Sequence, residues 1–306
     1  MKNSNNIWQQ SLLAVFTSLL FAGSFVAGKY TTDELGPLTI TLLRYCIASL
    51  FLHLLVLQQK DIGKRIATAS KADKLCLFGL GTFGVVGYHA FFFSSLRYTA
   101  VANSAIINAF NPVVTGFLAA VVLKEKLAFR NYVGGVIAIV GVLVLLTNGA
   151  LVSLLQLRFN IGDLLMLCAV LCWAVYSVLL RHLGKTYSGL AISYYGALFG
   201  VAQLLLLVIP ELLSRGLQTL SVSSILSILY MGIGASGIGY LLFTLSIQRI
   251  GPAKSTSIVY SGVPVWVALL AWLFFQEPVT PWMIVSMALI LLGLRTVLQK
   301  SKSIVS

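Results

Sequence analysis

The chain has 306 residues, of which 58% are hydrophobic and 9% charged, with a mean hydropathy of +0.95 and a formal net charge of +13. Soluble domains carry about 25% charged residues, so too few charges remain here to clothe a soluble globule, and the composition specifies an integral membrane protein. The positive balance does not indicate nucleic-acid binding, because the bases cluster at the ends of apolar runs and no basic, aromatic-interleaved soluble module is present.

In chain order the apolar runs are 12–28, 37–57, 75–96, 100–123, 132–146, 164–180, 190–209, 225–247, 255–275 and 282–298. Each is near the ~20 residues that cross ~30 Å of hydrocarbon as a helix, and none shows the short alternating pattern of a barrel strand. The expectation is an all-α integral membrane protein with ten transmembrane helices. Short connections make sequence neighbours antiparallel. With the N-terminus inside, sixteen of the 21 Lys and Arg fall on inner segments and four (Lys29, Arg97, Arg158 and Arg215) on outer ones, leaving Arg44 within a span. That bias puts both termini in the cytoplasm.

The second feature is a repeat. Run 105–125, AIINAFNPVVTGFLAAVVLKE, is answered by 257–277, SIVYSGVPVWVALLAWLFFQE, with Pro112 matching Pro264 and Glu125 matching Glu277 at a shift of 152. The same shift pairs Ala22 with Ala174, Lys29 with Arg181, Gly87-Tyr88 with Gly239-Tyr240, Ser94 with Ser246, Ala119 with Ala271 and Gly141 with Gly293. Run 12–28 follows Lys2 and has small residues near its end, as a signal peptide would. Its mate is the sixth run, so it is expected to belong to the fold. The halves are placed at residues 1–149 and 150–306. Five spans per half is an odd number, so the second half enters the membrane inverted. Inverted-topology repeats are the architecture of alternating-access transporters, with a site near the midplane where the halves meet.

Polar residues inside spans mark candidate sites. Ser104, Asn108, Asn111 and Thr115 share one face of the fourth run. Pro112 has no N–H and frees the carbonyl near Asn108, which Asn108 or Asn111 can rebond. The same Asn side chains can instead line a pathway or hydrogen-bond a neighbouring helix. Thr256, Tyr260, Val263 and Val267 mirror that face. Ser24 lies on one face of the first run with Thr17, Phe21 and Gly28. Trp173 and Tyr176 are the mates of Phe21 and Ser24. Tyr88 and Tyr240 are mates, and His89 adjoins Tyr88. These aromatics sit mid-span, away from the interfacial belt. The cavity residues read from the chain are therefore Ser24, Arg44, Tyr88, His89, Asn108, Asn111, Trp173, Tyr176, Tyr240 and Tyr260. Arg44 either snorkels to the surface or faces the cavity and holds a carboxylate or phosphate. Glu125 and Glu277 close their helices where a carboxylate can accept the free N–H groups of the next helix. Cys46, Cys76, Cys168 and Cys172 read as small core residues rather than a metal set or a disulfide framework.

Other patterns dissolve on inspection. GIGASG at 232–237 matches a dinucleotide fingerprint but lies mid-way through an apolar run rather than between a strand and a helix. GPAKST at 251–256 lacks the GK[ST] triplet and the upstream glycine of a P-loop. No cofactor is expected, and transport without an ATP motif is driven by a proton gradient or the substrate's own. An intramembrane enzyme would need paired Asp, Ser/His or a metal cluster within the spans, and no Asp lies mid-span.

NPVVTGFLAAVVLKEKL (111–127), its mate VPVWVALLAWLFFQEP (263–278), SFVAGK (24–29) and LLRYCIASL (42–50) together resemble the EamA family of the drug/metabolite transporter superfamily, over nearly the whole chain. Lys124 stands where the family often has glycine. The resemblance implies a carrier of the bacterial inner membrane, often an exporter of amino acids or related metabolites. The expected partners are a small-molecule substrate and the lipid bilayer. The competing classes are a non-transporting receptor or scaffold and an importer of a different metabolite.

Overall fold

The computed structural model describes residues 4–58, 69–123, 129–147, 149–150, 160–215, 219–250 and 252–298. All regular structure among them is helical. The helices are α1 Ser4–Thr32, α2 Pro37–Val56, α3 Lys71–Gly79, α4 Tyr88–Ser95, α5 Val101–Asn108, α6 Asn111–Leu123, α7 Phe129–Thr147, α8 Ile161–Leu183, α9 Gly189–Leu207, α10 Ile209–Arg215, α11 Val222–Leu229, α12 Tyr240–Ile250, α13 Pro252–Phe275 and α14 Pro281–Leu298. In hydrocarbon every backbone polar group must be satisfied internally, which leaves only helices for such apolar runs. The starts are sequence-encoded. Proline opens α2, α13 and α14, while Ser70, Asn160, Ser188 and Ser221 each accept a first-turn N–H. Eight helical stretches are long and apolar enough to cross a membrane, and the apolar parts of α7 and α14 are shorter.

The 152-residue register reappears as packing. α1 packs on α13 and on the rod α11–α12, all in the second half. Its mate α8 packs on α3 to α6, all in the first. α2 pairs with its own mate α9, and α7 with its mate α14. Glycine sets the last approach: a Cβ on Gly293 would lie 2.5 Å from the Gly134 carbonyl oxygen, and one on Gly141 would lie 2.9 Å from Ile290. Such close backbone contact drives association where the solvent is itself apolar.

Two departures from strict symmetry appear. The fourth run is interrupted at Ala109–Phe110 between α5 and α6, whereas its mate α13 carries Pro264 without a break. The duplicated broken helix is thus broken once. The cysteines sit on partly or fully exposed faces rather than in the core, because the core positions beside them are taken by alanine, leucine and the aromatics.

One end of the bundle is fastened by carboxylates that reach across the halves. Glu34 accepts from the Ser221 N–H at 3.0 Å. Glu211 accepts from the N–H groups of Leu38 and Thr39 and from the Thr39 hydroxyl at 2.6 Å. Glu277 accepts from Val101 and Ala102 at 3.1 and 3.2 Å, and Thr99 donates to Asp163 at 2.6 Å. Each of the three glutamates caps the first turn of a helix in the opposite half. Glu277 therefore does not cap the following helix: the left-handed turn at Gln276 (φ 53°) carries it away from α14 and towards α5. Glu125 lies outside the described residues. Lys29 donates to the Leu96 carbonyl at 2.7 Å, and Arg97 donates to those of Thr32 and Leu35, so α1 and α4 close each other's C-termini.

Glu277→Ala leaves two first-turn N–H groups of α5 without an acceptor. It is expected to destabilise the purified protein by about 1 kcal/mol, the usual cost of a lost cap, and an unchanged thermal midpoint would refute the capping role. At Glu34 the Ser221 side chain and N–H, and then Ser224, hold the carboxyl below its ordinary range. Its stabilisation is present above the unfolded value of about 4.3 and is lost as pH falls through the lower folded value. The midpoints of the parent and of Glu34→Gln are thus expected to differ at pH 7 and to converge below about pH 4. A constant difference across that titration would contradict it.

Candidate functional site

Two π-helical segments aim the central aromatics. Leu80–Gly87 and Tyr230–Gly239 both end on the glycine that precedes a tyrosine, and the second recurs in the 152-residue register. A π turn widens the helix and rotates the next residues about its axis. Small residues let neighbouring chains approach there: a Cβ on Gly84 would overlap the Tyr176 ring, and one on Gly232 would meet Ile47. The GIGASG string therefore serves packing. His89 lies two residues beyond the first segment, and its Nδ1 is 3.0 Å from the Val85 carbonyl. A carbonyl only accepts, so Nδ1 carries a proton and neutral His89 offers Nε2 as an acceptor.

Between the halves lies a cavity. α1 contributes Phe21, Ser24 and Phe25, α2 contributes Arg44, α4 contributes Tyr88, His89 and Phe92, and α5 contributes Asn108. The second half contributes Trp173, Tyr240 and Tyr260, which are the 152-residue mates of Phe21, Tyr88 and Asn108. Trp173 is the hub, with ring centroids 4.8 Å from Tyr88, 5.5 Å from Tyr240 and 6.4 Å from Tyr260. Only about 30 Å³ is open to the centre of a water molecule, and one water needs about 10–15 Å³. A metabolite therefore requires these walls to separate.

Arg44 is 2% exposed and does not snorkel. Its Nε donates to the Ser236 hydroxyl at 2.9 Å, and Nη1 is 3.9 Å from the Met231 sulfur. Its guanidinium carbon stands 5.7 Å from the centre of the Tyr45 ring and 5.6 Å from that of Phe93. Among the described residues it makes no ion pair. Around it the buried Ser24 hydroxyl and Trp173 N–H have no protein partner. Buried polar groups are nearly always paired, so their accumulation at one place makes this cavity the candidate site.

Of the residues singled out from the chain, Ser24, Arg44, Tyr88, His89, Asn108, Trp173, Tyr240 and Tyr260 come together on this lining. Asn111 and Tyr176 do not reach it. Asn111 is 1% exposed and donates to the Asn108 side-chain oxygen, holding Asn108 in place. Tyr176 packs behind Trp173 at 4.8 Å. Ser104 bonds Ser95 at 3.1 Å, which ties α5 to α4. Phe25 and Phe92 line the cavity without having been singled out. Phe92 is one turn beyond Tyr88 and His89 and Phe25 one turn beyond Phe21, so extending each polar face by a turn would have found both. Among the described residues no group of His, Cys, Asp and Glu could hold a metal ion.

The model of the EamA-like transporter family matches this chain twice, over residues 9–147 and 160–299. An "Uncharacterized transporter YyaM" of Bacillus subtilis (strain 168) is 27% identical over 279 residues, covering 91% of this chain and 90% of the relative. A "Probable terminal-alkyne amino-acid exporter" of Streptantibioticus cattleyicolor is 26% identical over 293 residues, covering 96% and 93%. A solved crystal structure at 20% identity superposes with a TM-score of 0.64 over 94% of this chain and 98% of its own, which speaks to the fold alone. Matched through both halves and similar end to end to proteins named as transporters rather than enzymes, this multi-pass membrane protein belongs to the EamA-like transporter family.

Proposed function

We propose that the chain is a secondary transporter that exports a small organic metabolite, an amino acid or a related compound, by alternating access around the cavity between its halves. The observation that carries this is the lining itself: side chains from both halves meet around unpartnered polar groups deep in a membrane bundle. In this reading α7 and α14 also span, which gives ten transmembrane helices as two inverted five-helix repeats. Both termini lie in the cytoplasm, in keeping with the Lys and Arg bias, and the membrane is the bacterial inner one. A proton gradient or the substrate's own gradient supplies the drive. The name of the Streptantibioticus relative supports export of amino-acid-like compounds. Ser24, Arg44, Tyr88, His89, Asn108, Trp173, Tyr240 and Tyr260 form the substrate surface, with Asn111 and Tyr176 behind it.

Counterflow in proteoliposomes, with and without a pH gradient, tests the reading across a panel of amino acids and other metabolites. Flux of none of them would overturn it. Asn108→Leu and Tyr240→Ala are each expected to lower flux by about tenfold, the equivalent of ~1.4 kcal/mol of lost interaction, and normal flux in both would refute this site. Ser24→Ala separates binding from folding. It deletes a buried hydroxyl with no protein partner, so thermal stability should hold or rise. Flux should still fall about two- to tenfold, the value of one neutral hydrogen bond.

A further inference from the structure

We propose that the cavity selects monoanions: small organic acids with one carboxylate or similar anionic group, an apolar or aromatic body and no ammonium group. This rests on the transporter reading above and narrows its substrates, from amino acids and related compounds to the related acids that lack the ammonium group.

The charge inventory of the lining is one-sided. Arg44 is its fixed charge, and His89 adds either nothing or a second positive charge. Among the described residues no carboxylate faces the cavity. Glu34, Asp163, Glu211 and Glu277 are engaged at the fastened end of the bundle. Asp73 is taken by the Tyr187 hydroxyl at 2.9 Å and approached by His182 at 3.8 Å. A buried cation without a carboxylate is costly to keep, and an incoming anion removes that cost. Nothing in the lining does the same for an ammonium.

The hydrogen-bonding inventory points the same way. The Arg44 fork has donors in excess: Nε serves Ser236 and Nη1 has only a long contact to sulfur. Neither N–H of Nη2 finds an acceptor among the described residues. A planar guanidinium with free N–H groups matches a carboxylate in two-point geometry. The unpartnered Trp173 Nε1 can only donate. The Asn108 side-chain oxygen already takes the amide of Asn111, and its second lone pair and the His89 Nε2 are neutral acceptors that bring no negative charge to an ammonium. Facing these donors are Phe21, Phe25, Phe92 and the ring of Trp173, which suit an apolar or aromatic body.

The test compares one body in several charge states, with the full-length protein in nanodiscs for binding and in proteoliposomes for counterflow. The probes are 3-phenylpropionate, L-phenylalanine, 2-phenylethylamine and 3-phenylpropan-1-ol, with 4-methylpentanoate, L-leucine and isoamylamine as an aliphatic series. Thermal stabilisation and tryptophan fluorescence report binding. The acids are expected to bind at least about tenfold more tightly than the matching zwitterions and amines. Arg44→Gln is expected to erase that preference and Arg44→Lys to retain part of it. Should Arg44→Gln not fold, the wild-type series still decides, and Ser236→Ala, which releases Nε but keeps the charge, should shift acid affinity while leaving acids preferred. Equal or tighter binding of phenylalanine, leucine or either amine overturns the anion class, and flux of those compounds would leave the transporter reading standing. Binding of the acids without flux of any probe supports the anion class and overturns transport. Absence of both binding and flux in both series overturns both.

Discussion

The structure depends on each half being unable to bury itself alone. α1 finds its neighbours in the second half and α8 finds its own in the first, while α2–α9 and α7–α14 join like to like. Hydrocarbon gives no hydrophobic reward for helix association, so these contacts must be won by close packing and interhelical hydrogen bonds. A duplicated sequence solves that problem once and applies the solution twice, which is why Gly141 and Gly293 both survive at the α7–α14 crossing. The cavity follows from the same geometry. It lies where the two exchanged helices bring Phe21 and Trp173 to either side of one point.

Function then lives in the places where the halves differ. The mate of Arg44 is Gly196, and the mate of its partner Ser236 is Gly84, against which Tyr176 packs. His89 has Leu241 for a mate, and Asn108 has Tyr260. The fixed charge is thus confined to one wall, while aromatic rings and hydrogen-bonding groups come from both. Magnitudes favour reading the charged wall as the selector. Two unit charges ~6 Å apart at an effective dielectric of 20 repel by about 3 kcal/mol. One aromatic ring returns ~2 kcal/mol or more to a desolvated cation. An ammonium held that close to Arg44 needs more than one ring to offset the repulsion, whereas a carboxylate there gains an attraction of the same size.

Much of this was legible in the chain, for identifiable reasons. Apolar runs of span length and an ungapped shift of 152 are one-dimensional signals, and they survive into the packing. So did most of the lining, because a polar or aromatic group mid-span stands out against leucine and valine. Phe25 and Phe92 did not stand out, since a phenylalanine facing a cavity and one facing lipid look alike in sequence. The target of Glu277 was misread because a carboxylate after a helix can reach any nearby N-terminus. Which one it reaches is set by Gln276 adopting a left-handed turn. Pro112 and Pro264 are the same residue in the same register, yet only the first sits at a break. The Asn108–Asn111 hydrogen bond supports the interrupted backbone in one half, and Tyr260 and Val263 offer no equivalent in the other.

The carboxylates at the fastened end have a size suited to gating. Glu34, Glu211 and Glu277 each cap a helix of the opposite half, and Asp163 binds Thr99 across the same boundary. At roughly 1 kcal/mol for each of the contacts of Glu211, Glu277 and Asp163, separating the halves at that end costs about 3 kcal/mol. Turning a two-state population from 1:99 to 99:1 takes about 5.5 kcal/mol of differential binding. The two figures are of one order, so a fastening of this kind holds one conformation without locking it. Capping suits that task better than ion pairing would. The backbone N–H groups released on opening meet water at the membrane surface and are not stranded in hydrocarbon. On the alternating-access reading proposed above, the contacts that must break lie where breaking them is cheap, and the charge that cannot be exposed to lipid, Arg44, stays at the centre of the motion.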